Sequence, residues 1–163
     1  MDYFTLSQRD PRWARKTLGF TRTTIGQYGC TLVALTCLLN RLLDMRATPD
    51  MVNEKLKEVK AFSDGKTIGK GNLLVWARVP LAFPQLSHPK SGGRVRSYNN
   101  LVVSTYVYLK RTPVMVEVNA DSIGAPRHWV LYIGGRECVD PWVGKVVKTN
   151  KYPAVGYALF NRA

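Results

Sequence analysis

Three residues of this 163-residue chain have types and neighbours that suit nucleophilic catalysis: Cys30, His128 and Asp140. Cys30 directly follows Gly29 and begins the longest segment with helical periodicity. Its sulfur is therefore expected near the unpaired N–H groups and the positive dipole end of a helix N-terminus. That position lowers the pKa of a thiol and favours the thiolate. The pattern alone leaves two interpretations open, a nucleophile or a small hydrophobic core residue.

A thiolate nucleophile needs an imidazole partner, and the chain contains two histidines. His128 begins the predicted strand HWVLYI, whereas His88 lies in a proline-flanked stretch and is interpreted as a surface loop residue. Asp140 belongs to the next predicted strand, ECVDPW, where an unpaired buried carboxylate would be costly. A hydrogen bond to His128 would satisfy this carboxylate and fix the tautomer of the imidazole.

The connection between these two strands decides whether His128 and Asp140 can meet, because side chains alternate between the faces of a sheet. A two-residue turn at Gly134-Gly135 places the two side chains on opposite faces. A three-residue loop from Gly134 to Arg136, or a bulge, places them on the same face as diagonal neighbours. We predict the loop or the bulge, since glycine suits a bulged connection.

Helices are predicted in the N-terminal half of the chain. The segment TLVALTCLLNRLLDM after Cys30 has leucines at helical spacing. Thr48 and Pro49 are typical of a helix start, so PDMVNEKLKEV is predicted as a second helix whose buried side includes Met51, Leu56 and Val59. GKGNLLVWARV is predicted as a short third helix after a glycine break.

The second half of the chain is predicted to consist mainly of strands. Residues 79–93 contain three prolines and two glycines and are predicted to be irregular. NNLVVSTYVYLKR could be a helix or a strand, and its end in Lys-Arg before Thr-Pro favours a helix. PVMVEVN, HWVLYI, ECVDPW, VGKVVKT and VGYALF are predicted strands. A helical start followed by an antiparallel sheet predicts an α+β fold, and we expect residues 1–163 to form a single domain.

Several segments resemble a known protein family. LSQRDPRWA, LG and TIGQYGCTLVALTCLL, together with HWVLYIGG and CVDPW, are similar to the bacteriocin-leader-peptidase-like domains of bacterial and phage proteins. These double-glycine leader peptidase-like domains belong to the papain superfamily of cysteine peptidases. The matching segments occur in the family's order, while residues 45–125 carry a much weaker resemblance. The resemblance implies a papain-like fold, with N-terminal helices packed on a C-terminal antiparallel sheet.

The same resemblance implies catalytic roles for individual residues. Cys30 would attack a peptide carbonyl, His128 would act as base and then acid, and Asp140 would orient His128. A glutamine upstream of the cysteine would donate to the oxyanion. Gln8 lies in the matching segment but 22 residues before Cys30, and Gln27 lies three residues before it. We favour Gln8 with the Cys30 backbone N–H as second donor, and the choice between the two glutamines stays open.

Residues expected to contact the substrate are Gly29, Trp129 and Trp142. Trp142 follows Asp140 by two positions and resembles the tryptophan that shields the histidine and acid of papain-like enzymes.

The cysteines predict neither a disulfide scaffold nor a metal centre. Cys30 and Cys37 would lie about 10 Å apart along one helix, too far for a disulfide. Cys37 and Cys138 are interpreted as packing residues, with Cys138 on the same face as Asp140. A zinc site from Cys30, Cys138, Asp140 and His128 would lack the short Cys-x-x-Cys spacing of such sites, so no metal and no cofactor are expected.

The net charge of +13 indicates attraction to polyanionic surfaces. The excess is +6 in residues 1–80 and +7 in residues 81–163, without a basic block. A nucleic-acid binder more often has a clustered basic stripe, so no specific nucleic acid is expected. The N-terminal residues have no apolar segment typical of a signal peptide, and no stretch approaches the length of a membrane span. The expected location is the cytoplasm at synthesis, with later incorporation into a phage virion.

The expected function is that of a thiol protease that hydrolyses a peptide bond through an acyl-enzyme. Phage relatives indicate a cell-wall peptide cross-link or a virion protein as substrate, and other virion proteins as partners. The alternative is a catalytically inert structural or interaction module of a virion on the same fold, because a fold does not determine activity.

Overall fold

The structure, a computed structural model, describes residues 1–63, 72–89 and 93–163. The helices of this part are α1 (Ile25–Tyr28), α2 (Cys30–Leu43), α3 (Pro49–Glu58), α4 (Val79–Ala82) and α5 (Asn100–Ser104). The strands are β1 (Leu86–Ser87), β2 (Arg94–Val95), β3 (Val114–Ala120), β4 (Ala125–Gly134), β5 (Glu137–Asp140), β6 (Lys145–Lys148), β7 (Ala154–Ala158) and β8 (Asn161–Arg162). The combination of helices and an antiparallel sheet confirms the α+β class.

The two predicted N-terminal helices are confirmed as α2 and α3. Pro49 occupies the first turn of α3, where the missing N–H of proline costs no hydrogen bond. The predicted buried side of α3 is partly wrong, because Met51 is 55% exposed. Val52 and Leu56, four residues apart on one face, are buried instead. Val59, just after the helix, is only partly buried.

The region between α3 and α5 differs from the prediction. Residues 69–71 of the predicted third helix lie outside the described part of the chain. Its remainder forms only a 3-10 turn at Trp76–Arg78, because Leu74 pairs with Phe62 in an isolated β-bridge. The segment predicted to be irregular contains α4 and β1, although its residues 90–92 also lie outside the described ranges.

The predicted helix in NNLVVSTYVYLKR is confirmed. It consists of α5 followed by a π-helical turn at Thr105–Leu109. Asn99 caps the start of α5, since its side-chain oxygen accepts hydrogen bonds from the N–H groups of Leu101 and Val102.

All five predicted strands are confirmed. Within the described ranges, six strands form one antiparallel sheet in the order β2-β7-β3-β4-β5-β6, and β1 pairs separately with β8. Both faces of the large sheet are covered. Leu131 and Val139 belong to the buried cluster that includes the leucines of α2, whereas Val130 and Cys138 belong to a second cluster with residues of α5 and the π-helical turn.

The hairpin between β4 and β5 contains the bulge that we predicted as one of two possibilities. Leu131 pairs with Val139 and Tyr132 with Cys138, but the next pair is Gly134 with Glu137, so one extra residue of β4 is accommodated. The turn itself consists of Gly135 and Arg136, which have φ angles of 62° and 60°, as in the type I′ turns that favour hairpins. This register places the side chains of positions 128 and 140 on one face.

Within the described residues, no helix has the length and apolar composition required to cross a membrane.

Candidate active site

Cys30 is the first residue of α2 and lies at the junction between α1 and α2. Its side chain is partly exposed, unlike the buried Cys37 and Cys138. Gly29, which separates the two helices, has no room for a side chain, because an added Cβ would overlap the carbonyl oxygen of Ile25. The tight junction therefore requires glycine next to the thiol.

His128 and Asp140 form a buried pair. The Nε2 atom of His128 lies 2.7 Å from Oδ1 of Asp140, and the two side chains are 2% and 0% exposed. Because an ionised carboxylate can only accept, Nε2–H is the donor. This bond leaves Nδ1 as the ring nitrogen for the thiol of Cys30, which lies close enough to His128 for each group to shift the pKa of the other. The bulged hairpin thus brings His128 and Asp140 together, and α2 supplies Cys30 beside them.

Asp140 has further partners that hold it ionised. Its Oδ1 also accepts the backbone N–H of Trp142 at 2.9 Å. The hydroxyl of Tyr152 lies 3.4 Å from Oδ2, and the ammonium of Lys151 lies 3.5 Å from the same oxygen. Burial raises the pKa of Asp140, but the hydrogen bond and charge of His128, with the backbone of Trp142 and the charge of Lys151, outweigh it, so the pKa is lowered.

The thiol and the imidazole shift each other's pKa in opposite directions. Burial opposes both charges, but the hydrogen bond to Asp140 and the neighbouring Cys30 raise the pKa of His128 to about 9. Burial likewise raises the pKa of Cys30, but the hydrogen bond and charge of His128, with smaller contributions from Trp129 and Thr31, lower it on balance. The arrangement therefore favours a thiolate–imidazolium pair at neutral pH.

Gln8 is buried beside this group. Its backbone N–H donates to the carbonyl of Pro141 at 2.8 Å, directly after Asp140. Its side-chain Nε2 donates one of its two amide hydrogens to the carbonyl of Gly26 in α1 at 3.0 Å. Gln8 thus contacts α1, which ends next to Cys30, through its side chain, and the segment that follows Asp140 through its backbone.

Gln27 is placed differently. Its side chain is exposed, and its Oε1 accepts the backbone N–H of Thr24 at 3.0 Å. The two residues form a capping box at the start of α1. Gln27 therefore has a local structural role, and of the two glutamines only Gln8 contacts both the segment beside Cys30 and the segment beside Asp140.

The residues expected to contact substrate have other partners as well. Trp129 is only 6% exposed, and its ring packs 4.9 Å from that of Trp76, so its side chain belongs to the core rather than to an open surface. Its backbone helps to lower the pKa of Cys30. Trp142 is half-buried, with the guanidinium of Arg9 3.5 Å from its ring centroid. Gly29 is buried at the helix junction.

The structure also places His88, Cys37 and Cys138, which were not predicted to be catalytic. The ring nitrogens of His88 contact the carbonyl oxygens of Trp76 and Leu159 at 2.8 and 3.2 Å, so His88 is fixed by tertiary contacts and is not a free surface residue. Cys37 lies in the core, and burial raises its pKa to about 11. Burial and the neighbouring Asp140 raise the pKa of Cys138 to about 12.

Sequence reasoning did not find Tyr152 or Lys151. Tyr152 lies 12 and Lys151 lies 11 positions after Asp140, at the end of a 3-10 turn (Thr149–Lys151), with no motif around them. The path of the chain after β6 brings them to the carboxylate, and no spacing rule predicts that path.

No protein family, curated protein or solved structure matches this chain. A functional assignment therefore depends on the geometry above. Within the described ranges, no group of three or more His, Cys, Asp and Glu side chains is arranged to hold a metal ion.

Proposed function

We propose that this protein is a cysteine peptidase with a papain-like arrangement of helices and sheet. The observation that supports this most strongly is the buried pair of His128 and Asp140, 2.7 Å apart, beside the partly exposed thiol of Cys30, whose pKa His128 lowers. A thiol at a helix start, an imidazole and an orienting acid are the components of an activated nucleophile.

The proposed reaction proceeds through an acyl-enzyme. The Cys30 thiolate attacks the peptide carbonyl, and the resulting oxyanion accepts the Cys30 backbone N–H and the second amide hydrogen of Gln8. His128 gives its proton to the leaving amine, and the C–N bond breaks. His128 then takes a proton from water, which hydrolyses the thioester and regenerates the thiol. Asp140 keeps the imidazole oriented throughout.

The proposed substrate class is a peptide cross-link of the bacterial cell wall or a virion protein. The net charge of +13 supports an anionic wall as the target surface. Release of new amino groups from purified sacculi, followed by mass spectrometry of the fragments, would identify the bond that is cut. An inert virion module with the same arrangement is the competing function.

Trapping of the nucleophile separates these two functions. We expect a peptidyl epoxide to modify Cys30 of the native protein and to leave the buried Cys37 and Cys138 unmodified, as mass spectrometry of the digest would show. The variant His128→Gln should slow this modification at least tenfold, because the thiolate loses its partner. His88→Gln is the matched control and should leave the rate unchanged. Equal rates in both variants, or adducts only at other cysteines, would favour the inert module.

A further inference from the structure

A second site is formed by a cavity of about 740 Å³ on the sheet face that carries Cys138. Its volume is in the range of small-molecule sites in proteins. Within the described part of the chain, Cys30, His128 and Asp140 are not among its lining residues, so it is separate from the thiol. Its floor is apolar and consists of the buried side chains of β3, β4 and β5: Val116, Val118, Val130 and Cys138.

The rim of this cavity is polar and positively charged. Arg136 and Lys148 line it, and no acidic residue does so among those that the structure describes. Lys148 is paired with Glu137 at 3.1 Å. Arg136, on the exposed β4–β5 turn, forms no salt bridge within the described ranges. Arg136 is thus the cation available to a ligand.

Polar groups meet at one corner of the rim. The hydroxyl of Tyr108 lies 3.4 Å from that of Tyr132. The hydrogen bond with Tyr132, with smaller contributions from the β4–β5 turn at Gly135 and Arg136, lowers the pKa of Tyr108. Both tyrosines and Arg136 line the cavity, which favours a negatively charged oxygen of a ligand.

We propose that this cavity binds a small organic anion with an apolar body. The carboxylate or sulfonate contacts Arg136 and the turn backbone, and the apolar body lies over the valine floor. Tyr98, Tyr108 and Tyr132 supply ring surfaces at the sides. This site does not depend on the proposed peptidase function, because Cys30, His128 and Asp140 do not line it, and it shares only Tyr152 with the surroundings of Asp140.

Fluorescence titration with 8-anilinonaphthalene-1-sulfonate, an aromatic anion, tests the site. We expect saturable binding to one site per chain in the native protein. Decanoate should displace the probe, whereas decylamine, which has the same chain length and the opposite charge, should not. Absence of saturable binding up to about 1 mM, or equal displacement by the amine, would overturn the proposal.

Two arginines allow a matched pair of variants. Arg136 and Arg111 are both exposed and both have positive φ angles, 60° and 51°, and only Arg136 lines the cavity. Asparagine tolerates this backbone conformation, so Arg136→Asn and Arg111→Asn should both fold. We expect the first to weaken probe binding about tenfold, the usual size for loss of one charged partner, and the second to leave it unchanged. Equal affinities of the two variants would contradict the assignment.

Tyr108→Ala provides an independent check, since this side chain is 52% exposed and its loss should not prevent folding. Removal of the hydroxyl and ring at this polar corner should also weaken binding of the probe. Unchanged affinity in this variant would place the probe elsewhere and overturn the proposal.

Discussion

His128 lowers the pKa of Cys30, and Cys30 raises the pKa of His128. This coupling has a measurable consequence. The imidazolium must donate a proton to the leaving amine, and the pKa of His128 is about 9. Hydrolysis should therefore decline as the pH rises through about 9. It should also decline at low pH, where the thiolate becomes protonated, at a value below the ordinary thiol pKa of 9.0.

Asp140→Asn should change this profile. The amide cannot stabilise the imidazolium as the carboxylate does, so we expect lower turnover and an alkaline limb moved to lower pH. The loss should be smaller than in Cys30→Ala, because an amide oxygen can still accept the His128 Nε2–H. The measurement is the pH dependence of kcat in both proteins. If the alkaline limb stays at the same pH, Asp140 does not control the pKa of His128.

Cys30→Ala should abolish hydrolysis and change the free energy of unfolding by no more than about 1–2 kcal/mol, because the side chain lies at the edge of the core. Cys37→Ala is the matched control, since this side chain is fully buried. It should destabilise the protein by about 1–2 kcal/mol and keep full activity. Urea unfolding and a peptide-hydrolysis assay measure the two effects. Full activity of Cys30→Ala would remove the nucleophile assignment.

Gln8→Ala and Gln27→Ala distinguish the two candidate oxyanion donors. Loss of one donor typically lowers kcat by about 10²–10³-fold, and we expect this for Gln8 with little change in KM. Gln27→Ala should only weaken the cap of α1, by about 0.5–1 kcal/mol of stability, and leave kcat unchanged. The reverse result would place Gln27 at the oxyanion. Thermal unfolding of both variants shows whether each remains folded.

At the scale of the elements, the short link between α1 and α2 positions the thiol. Gly29→Ala would force a Cβ against the carbonyl oxygen of Ile25, so we expect a destabilisation of about 1–3 kcal/mol together with a fall in activity. Gly135→Ala is the control, because nothing lies within 4 Å of its added Cβ and only its positive φ is unfavourable.

The control variant Gly135→Ala should cost about 1–2 kcal/mol of stability and keep the activity. Denaturant unfolding and epoxide trapping of Cys30 measure the two effects in each protein. A Gly29→Ala variant with native trapping rate would mean that the helix junction does not position the sulfur.

At the scale of the whole molecule, the excess of positive charge is spread along the chain. We expect co-sedimentation with sacculi that carry anionic polymers, and loss of this binding at about 0.5 M NaCl, where screening is strong at distances beyond a few ångströms. Sacculi stripped of their anionic polymers are the matched control and should bind weakly at any salt concentration. Binding that is insensitive to salt would exclude a role for the net charge.

The sequence determined the elements whose signals are local. The start of α2 after Gly29, the cap and proline of α3, and the alternating strands were all predictable, because periodicity and capping depend on neighbouring residues. The same local reasoning identified Cys30, His128 and Asp140 as candidates. This reasoning was less successful for the buried side of α3. Met51 was predicted to be buried there, but packing against α2 buries Val52 instead.

Only the tertiary structure decided which distant groups meet. A bulge of one residue in β4 selects the face on which His128 meets Asp140, and the sequence left two connections possible. The choice of Gln8 over Gln27 depends on contacts with Gly26 and Pro141, which are remote in sequence from Gln8. Lys151 and Tyr152 reach Asp140 by the path of the chain after β6. Such contacts depend on the summed packing of the whole chain, which no local pattern encodes.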